Sequence, residues 1–212
     1  MIAGKHKGAG MLLYPAQVAE VLAPIAEYPE IQFSLKMRLG WENASECMVL
    51  VELLNTLRLS RIALHARTGK QQYKGHPDLE AFQGFYELCQ HPLYYNGDIE
   101  SLSDIRQILT RFPLLKGVFI GRGLLSSPLL AKEFKGNETF LPEQRMSIYF
   151  AFHEELFSAY SQVLQGETQL LVKMKTLWEY FLPETDRKLL KRIKKSTRLQ
   201  QYTESVKAIF TS

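Results

Sequence analysis

The sequence predicts an α/β fold at the front of the chain and an all-helical segment behind it. Three observations carry that expectation. Short apolar runs of strand character alternate with amphipathic stretches four times before residue 121, the signature of parallel βα units. After Pro142 no strand-like run remains and helical spacing takes over. Charge divides the same way. The net charge of the 212 residues is +4, yet the stretch from Leu170 to Ser212 holds ten basic and four acidic residues, so the body is slightly acidic and the tail strongly basic.

Taken in order, Pro15 opens a helical stretch over 15–28 that Pro24 interrupts, because proline is pre-set for a first turn and disruptive inside one. Residues 31–37 read as a strand. Ser45 is placed to cap a helix to about residue 59, with Met48, Val51, Leu54 and Leu57 at helical spacing. A second strand covers 62–65, a polar loop 66–77, and a helix 78–89. The third strand, 93–95, ends in an Asn96-Gly97 turn. A helix over 103–111 and a fourth strand over 117–120 close the series at Gly121-Arg122-Gly123. Four helices are then expected, at 143–165, 168–181, 184–195 and 199–210. Gly136, Asn137 and Pro142 suggest a boundary, so two domains are expected, residues 1–136 and 142–212.

Four strand–helix units are half of a (β/α)8 TIM barrel. A half barrel leaves two open sheet edges, so the expectation is that the last four units are present and that the first four are missing on the N-terminal side. Composition is ordinary and globular, 46% hydrophobic and 23% charged. No apolar run is long enough for a membrane span, and the start does not resemble a signal peptide. Cys47 and Cys89 have neither metal-ligand nor disulfide spacing. No metal is expected, and the plain reading is a cytoplasmic protein.

Chemistry in a parallel barrel sits where the strands end, and here those ends are polar. Lys36 lies within the apolar run FSLKMRLGW. It either points into the barrel towards an anion or electron-rich ligand, or lies along an edge with its head in water. His65 and Arg67 end the second strand, as a ligand pair or as a satisfied histidine and a surface arginine. The third strand ends in YYNGDI and the fourth in VFIGRGLLSSP. Glycines on these two strand ends let backbone N–H groups approach a phosphate. The tail, DRKLLKRIKKSTRL, spaces Lys188, Lys191, Arg192, Lys195 and Arg198 to gather on one side of a helix. That is a solvated face or a surface for a polyanion.

The motifs KMRLGW, LHART followed by GKQQYKG, YYNGDIES and GVFIGRGLLSSP, in this order and spacing, resemble those of tRNA-dihydrouridine synthases. The likeness is close from Gly8 to Phe134 and looser in the tail. It implies an FMN-dependent enzyme that uses NADPH to reduce uridine to 5,6-dihydrouridine in tRNA. By resemblance, Lys36 and His65 contact the flavin ring, where Lys36 would stabilise negative charge on the reduced ring. Asn96, Gly97 and Asp98 lie by the ribityl-phosphate, and Gly121 and Arg122 hold the phosphate. Arg67, Tyr73 and Lys74 lie towards the uridine and tRNA, and the basic tail belongs to a helical tRNA-binding domain.

The departure is at the front. The family's catalytic cysteine, in a Gly-Cys-Pro motif, would fall just before Met1, and neither Cys47 nor Cys89 stands in its place. The chain is then expected to lack its catalytic acid, either as a fragment or because an internal methionine is read as the start. The alternatives are a non-catalytic tRNA-binding remnant of the family and, against the basic tail, a flavin oxidoreductase acting on a small molecule. Oligomeric state stays open.

Overall fold

The computed structural model describes residues 6–211, and the chain divides into two compact units between Ile120 and Gly121. The division falls earlier in the chain than the 136–142 stretch suggested by glycine and proline. In the first unit a 3-10 turn precedes α1 (Pro15–Leu22), and a second 3-10 turn, Ala23–Ala26, takes over where Pro24 blocks the α-helix. Then come β1 (Phe33–Gly40), α2 (Val51–Thr56), β2 (Leu59–Thr68), α3 (Leu79–Leu88), β3 (Leu93–Asn96), α4 (Leu102–Arg111) and β4 (Gly117–Phe119).

The four strands form one parallel sheet in the order β1-β2-β3-β4. Register puts Arg38 beside His65, His65 beside Asn96 and Asn96 beside Phe119. Because side chains alternate faces, Leu35, Met37, Leu39, Ile62, Leu64 and Tyr95 lie on one face of the sheet. Phe82 and Phe85 of α3 and Ile105 of α4 are fully buried in the same unit.

Caps explain where the helices start. The Asp78 side chain accepts from Ala81 N, and Ser101 with Asp104 forms a reciprocal capping box. Ser45 behaves differently from expectation and makes no side-chain cap. Glu46 takes over instead, its carboxylate accepting the backbone N–H groups of Trp41, Glu42 and Asn43 at 2.6, 3.2 and 2.8 Å. The turn that follows, Glu46–Leu50, is a 3-10 helix and only then relaxes into α2.

The second unit contains α5 (Arg122–Ser126), α6 (Leu130–Gly136), α7 (Pro142–Val163), α8 (Glu167–Leu177), α9 (Arg187–Lys195) and α10 (Leu199–Phe210). No strand occurs among its described residues. Its core gathers Tyr149, Met174, Trp178, Phe181, Ile193 and Tyr202. A polar thread crosses this core. Trp178 Nε1–H donates to Tyr202 Oη at 3.0 Å, and Tyr202 Oη lies 2.7 Å from His153 Nε2. The indole can only donate, so the tyrosine oxygen accepts from it, and the tautomer of His153 sets which partner donates in the second bond. No described helix is long and apolar enough to cross a membrane. No cluster of three or more His, Cys, Asp or Glu suited to a metal occurs among the described residues.

Candidate functional site

Alternation and register gather the polar strand-end residues on the sheet face opposite the helix-packed one. Lys36 and Arg38 of β1, His65 of β2 and Asn96 of β3 all lie there, while the β1–β2 register shifts after Arg38 and His65, so alternation does not carry on to Arg67. Lys36 reaches across the width of β2, and its Nζ donates to Asn96 Oδ1 at 3.0 Å. The amide is held at its other end too, with Nδ2 donating to Phe119 O at 2.8 Å. Burial and the Arg38 charge lower the Lys36 pKa. His65 is buried. Burial, then the charges of Arg38, Lys36 and Arg67, push its pKa down to about 4. At neutral pH His65 is therefore a neutral imidazole inside a positive cluster, a ring that exchanges hydrogen bonds without adding charge.

Arg38 escaped sequence reasoning. The signal was present: it stands two residues after Lys36 in a strand, hence on the same face. Its Nη1 donates to Thr68 O at 2.7 Å and to Gln72 O at 3.2 Å. Arg67, by contrast, is 1% exposed. Its two terminal nitrogens meet both oxygens of Asp98, at 2.8 and 2.6 Å, and Nη2 also donates to Gly75 O at 2.6 Å. The bond to Asp98 raises the Arg67 pKa. Tyr73 and Lys74 stand exposed on the loop after β2, with the Tyr73 ring 6.4 Å from that of His65. A Cβ at Gly97 would lie 2.0 Å from the Tyr95 hydroxyl, so glycine there admits a neighbouring ring. Gly121 and Arg122 open the second unit at the start of α5. A Cβ at Gly121 would meet nothing within 4 Å, which leaves its backbone open to close approach.

Neither cysteine is suited to acid chemistry at these strand ends. Cys47 is fully buried, and burial raises its thiol pKa to about 12. Cys89 is half-buried beyond the end of α3, and burial raises its pKa as well.

In the second unit Lys188, Lys191, Arg192 and Lys195 are exposed and fall at i, i+3, i+4 and i+7 on α9. They line a groove of about 420 Å³ with Gln201 and Glu204 of α10. Buried Ile193 anchors the opposite side. Arg198 does not continue that stripe as expected. The Ser196 hydroxyl donates to Ile193 O at 2.6 Å, the backbone turns out of the helix at Ser196, and Arg198 is the extended N-cap of α10.

Parallel βα units with cationic and amide groups gathered on one sheet face, followed in the chain by a basic helical unit, define an α/β protein with a positively charged face on its sheet. Comparison with known proteins gives the family. The dihydrouridine synthase model matches residues 1–211, and the chain belongs to that family. It is 35% identical over 135 residues to a probable tRNA-dihydrouridine synthase of Aquifex aeolicus, covering 62% of this chain and 42% of that one. It is 30% identical over 128 residues to a probable tRNA-dihydrouridine synthase of Rhizobium leguminosarum bv. phaseoli, covering 60% and 40%. A tRNA-dihydrouridine(16) synthase of Haemophilus ducreyi is 30% identical over 137 residues, covering 63% and 42%. The matches span less than half the length of these relatives.

Proposed function

We propose that this chain serves the FMN-dependent reduction of uridine to 5,6-dihydrouridine in tRNA, with NADPH as reductant. The observation that carries the reading is the single polar face of Lys36, Arg38, His65 and Asn96, with Lys36 Nζ held 3.0 Å from Asn96 Oδ1. A cation, a neutral imidazole and an oriented amide match the mixed polarity of an isoalloxazine edge. The open backbone at Gly121, with Arg122 beside it, suits a phosphate. When bound, FMN supplies the hydride that reduces C6 of the base and is restored by NADPH. The protein's own work is then to hold and orient. Lys36 and His65 would meet the ring system, Asn96 with Gly97 the ribityl chain, and Gly121 with Arg122 the phosphate. The uridine leaves its stack to reach the ring, and Tyr73 and Lys74 are exposed where an RNA can meet them. Lys188, Lys191, Arg192 and Lys195, with Arg198 beyond the helix end, would grip tRNA phosphates.

One observation favours a second reading. Protonating C5 needs an acid, and neither cysteine stands on the strands that carry Lys36, His65 and Asn96: Cys47 is fully buried in the turn before α2 and Cys89 caps the end of α3. A chain that binds tRNA without turning it over fits that fact. Purified protein is given FMN, NADPH and tRNA lacking dihydrouridine, and the RNA is digested and analysed by mass spectrometry. Bound flavin with dihydrouridine formed upholds the first reading. Bound tRNA with neither flavin nor product upholds the second.

A further inference from the structure

The loop between β2 and α3, residues 69–77, has no strand or α-helix of its own, yet it is tied down through its carbonyl groups. Arg38 holds Thr68 O and Gln72 O, and Arg67 holds Gly75 O. The Gln71 amide donates to Lys74 O at 2.8 Å and to His76 O at 2.9 Å. At its base, Gly69 N donates to Gly40 O and Asp78 N to Ala66 O, both at 2.7 Å. Gln72 and Gly75 adopt positive φ, +54° and +60°, which turns the chain sharply on either side of Tyr73 and Lys74. Carbonyls face the guanidinium groups while Tyr73 and Lys74 face solvent.

Arg67 is the centre of this arrangement. A guanidinium that is 1% exposed must be paired, and the bidentate contact with Asp98 does so with fixed geometry. Asp98 is 31 residues further along the chain, just after β3, so the pair joins the end of one strand to the loop of another. Its Nε is buried with no hydrogen-bond partner. Leaving a buried donor unmade carries a cost, and a buried ion pair contributes little net stability on average. The pair is thus better explained by the geometry it enforces than by stability. Nor can a buried guanidinium committed to Asp98 and Gly75 meet an RNA base without giving up those bonds.

We propose that Arg67 and Asp98 form a positioning pair, in which Asp98 orients the guanidinium and Arg67 holds the Gly75 carbonyl so that the loop presents Tyr73 and Lys74 to the RNA. The proposal rests on the tRNA reading above and adds a role for two residues that do not themselves touch the substrate. Arg67→Lys keeps the charge opposite Asp98 but loses the fork that reaches Gly75. Asp98→Asn is the gentler companion, because Asp98→Ala would leave a buried cation unpaired.

Amide hydrogen exchange of the 212-residue chain, read by mass spectrometry, is measured beside tRNA affinity. In Arg67→Lys, exchange over residues 69–77 should rise about tenfold, the loss of one charge-assisted hydrogen bond, while β1 to β3 stay protected. The tRNA dissociation constant should rise severalfold. The same rise should follow Tyr73→Ala with Lys74→Ala, and combining these with Arg67→Lys should add little, because both break one unit. A general loss of stability would instead add in full to the loop substitutions. Unchanged loop exchange, or a loosened loop with unchanged affinity, overturns the proposal and leaves the tRNA reading standing. A parent chain with no affinity for tRNA overturns that reading itself, and the presenting role with it.

Discussion

His65 and His153 both have their pKa lowered in the fold by one shared cause, burial, although they stand in different units. For His65 the charges of Arg38, Lys36 and Arg67 add to the effect; for His153 the bond to Glu154 opposes it. In the unfolded chain both return to about 6.5. A folded pKa below the unfolded one means that the unfolded state takes up protons first as pH falls. The stability these histidines contribute is therefore whole above about pH 6.5 and is lost on acidification. For His65 the loss runs from about 6.5 down to about 4. Thermal melts should show a falling midpoint between about pH 7.5 and about pH 5. His65→Gln and His153→Gln, which cannot titrate, should each flatten that dependence. A slope equal to the parent's in both variants would show that these groups do not govern it.

Among the elements, α9 offers the cleanest test. Replacing Lys191, Lys195 and Arg198 with Ala should weaken tRNA binding, and should flatten its salt dependence by about 0.7–0.9 of log–log slope per lost phosphate contact. Because Arg198 lies past the helix end, restoring it alone should recover less than restoring Lys191 and Lys195. Filter binding at several salt concentrations reads this, and an unchanged slope excludes α9 from the interface. At α4, Ser101→Ala removes half of a capping box and should cost about 1 kcal/mol in denaturant unfolding. Strands and long helices were legible in the sequence because periodicity is local. The run at 62–65 lies inside β2, and the run at 31–37 overlaps β1 but starts two residues before it; both strands extend further where flanking residues still pair. Short α5 and α6 were not legible, since five and seven residues hold too little periodic signal. The site was legible as a set of residues but not as bonds. Asp98 belongs with Arg67, and Lys36 with Asn96, 60 positions apart, and no local pattern announces either pairing.

At the scale of the molecule, each unit carries its own core, and the first presents a sheet whose β1 and β4 each pair on one side only among the described residues. Beside β1 runs an apolar groove of about 370 Å³ lined by Leu12, Val18, Leu22, Leu35 and Met37. Unpaired edges next to apolar surface invite pairing between chains. The 212-residue protein should self-associate with rising concentration, and Leu35→Lys, which places a charge on that edge, should reduce the effect. Light scattering across a dilution series checks both; a concentration-independent monomer would show that the edges are inert.

Ala63 sits next to Lys36 in the register of the sheet, on the strand that the lysine chain must pass over to reach Asn96. A methyl group leaves that passage clear, and it works as a clearance gauge: what stands at this position decides how far a neighbouring cation can travel. Valine or leucine there would stand in the lysine's path and keep the ammonium on its own strand. The amide would keep its bond to Phe119 O but lose its charged partner. The width of a single small side chain, itself taking no part in any polar contact, thus sets where the positive charge of this face comes to rest.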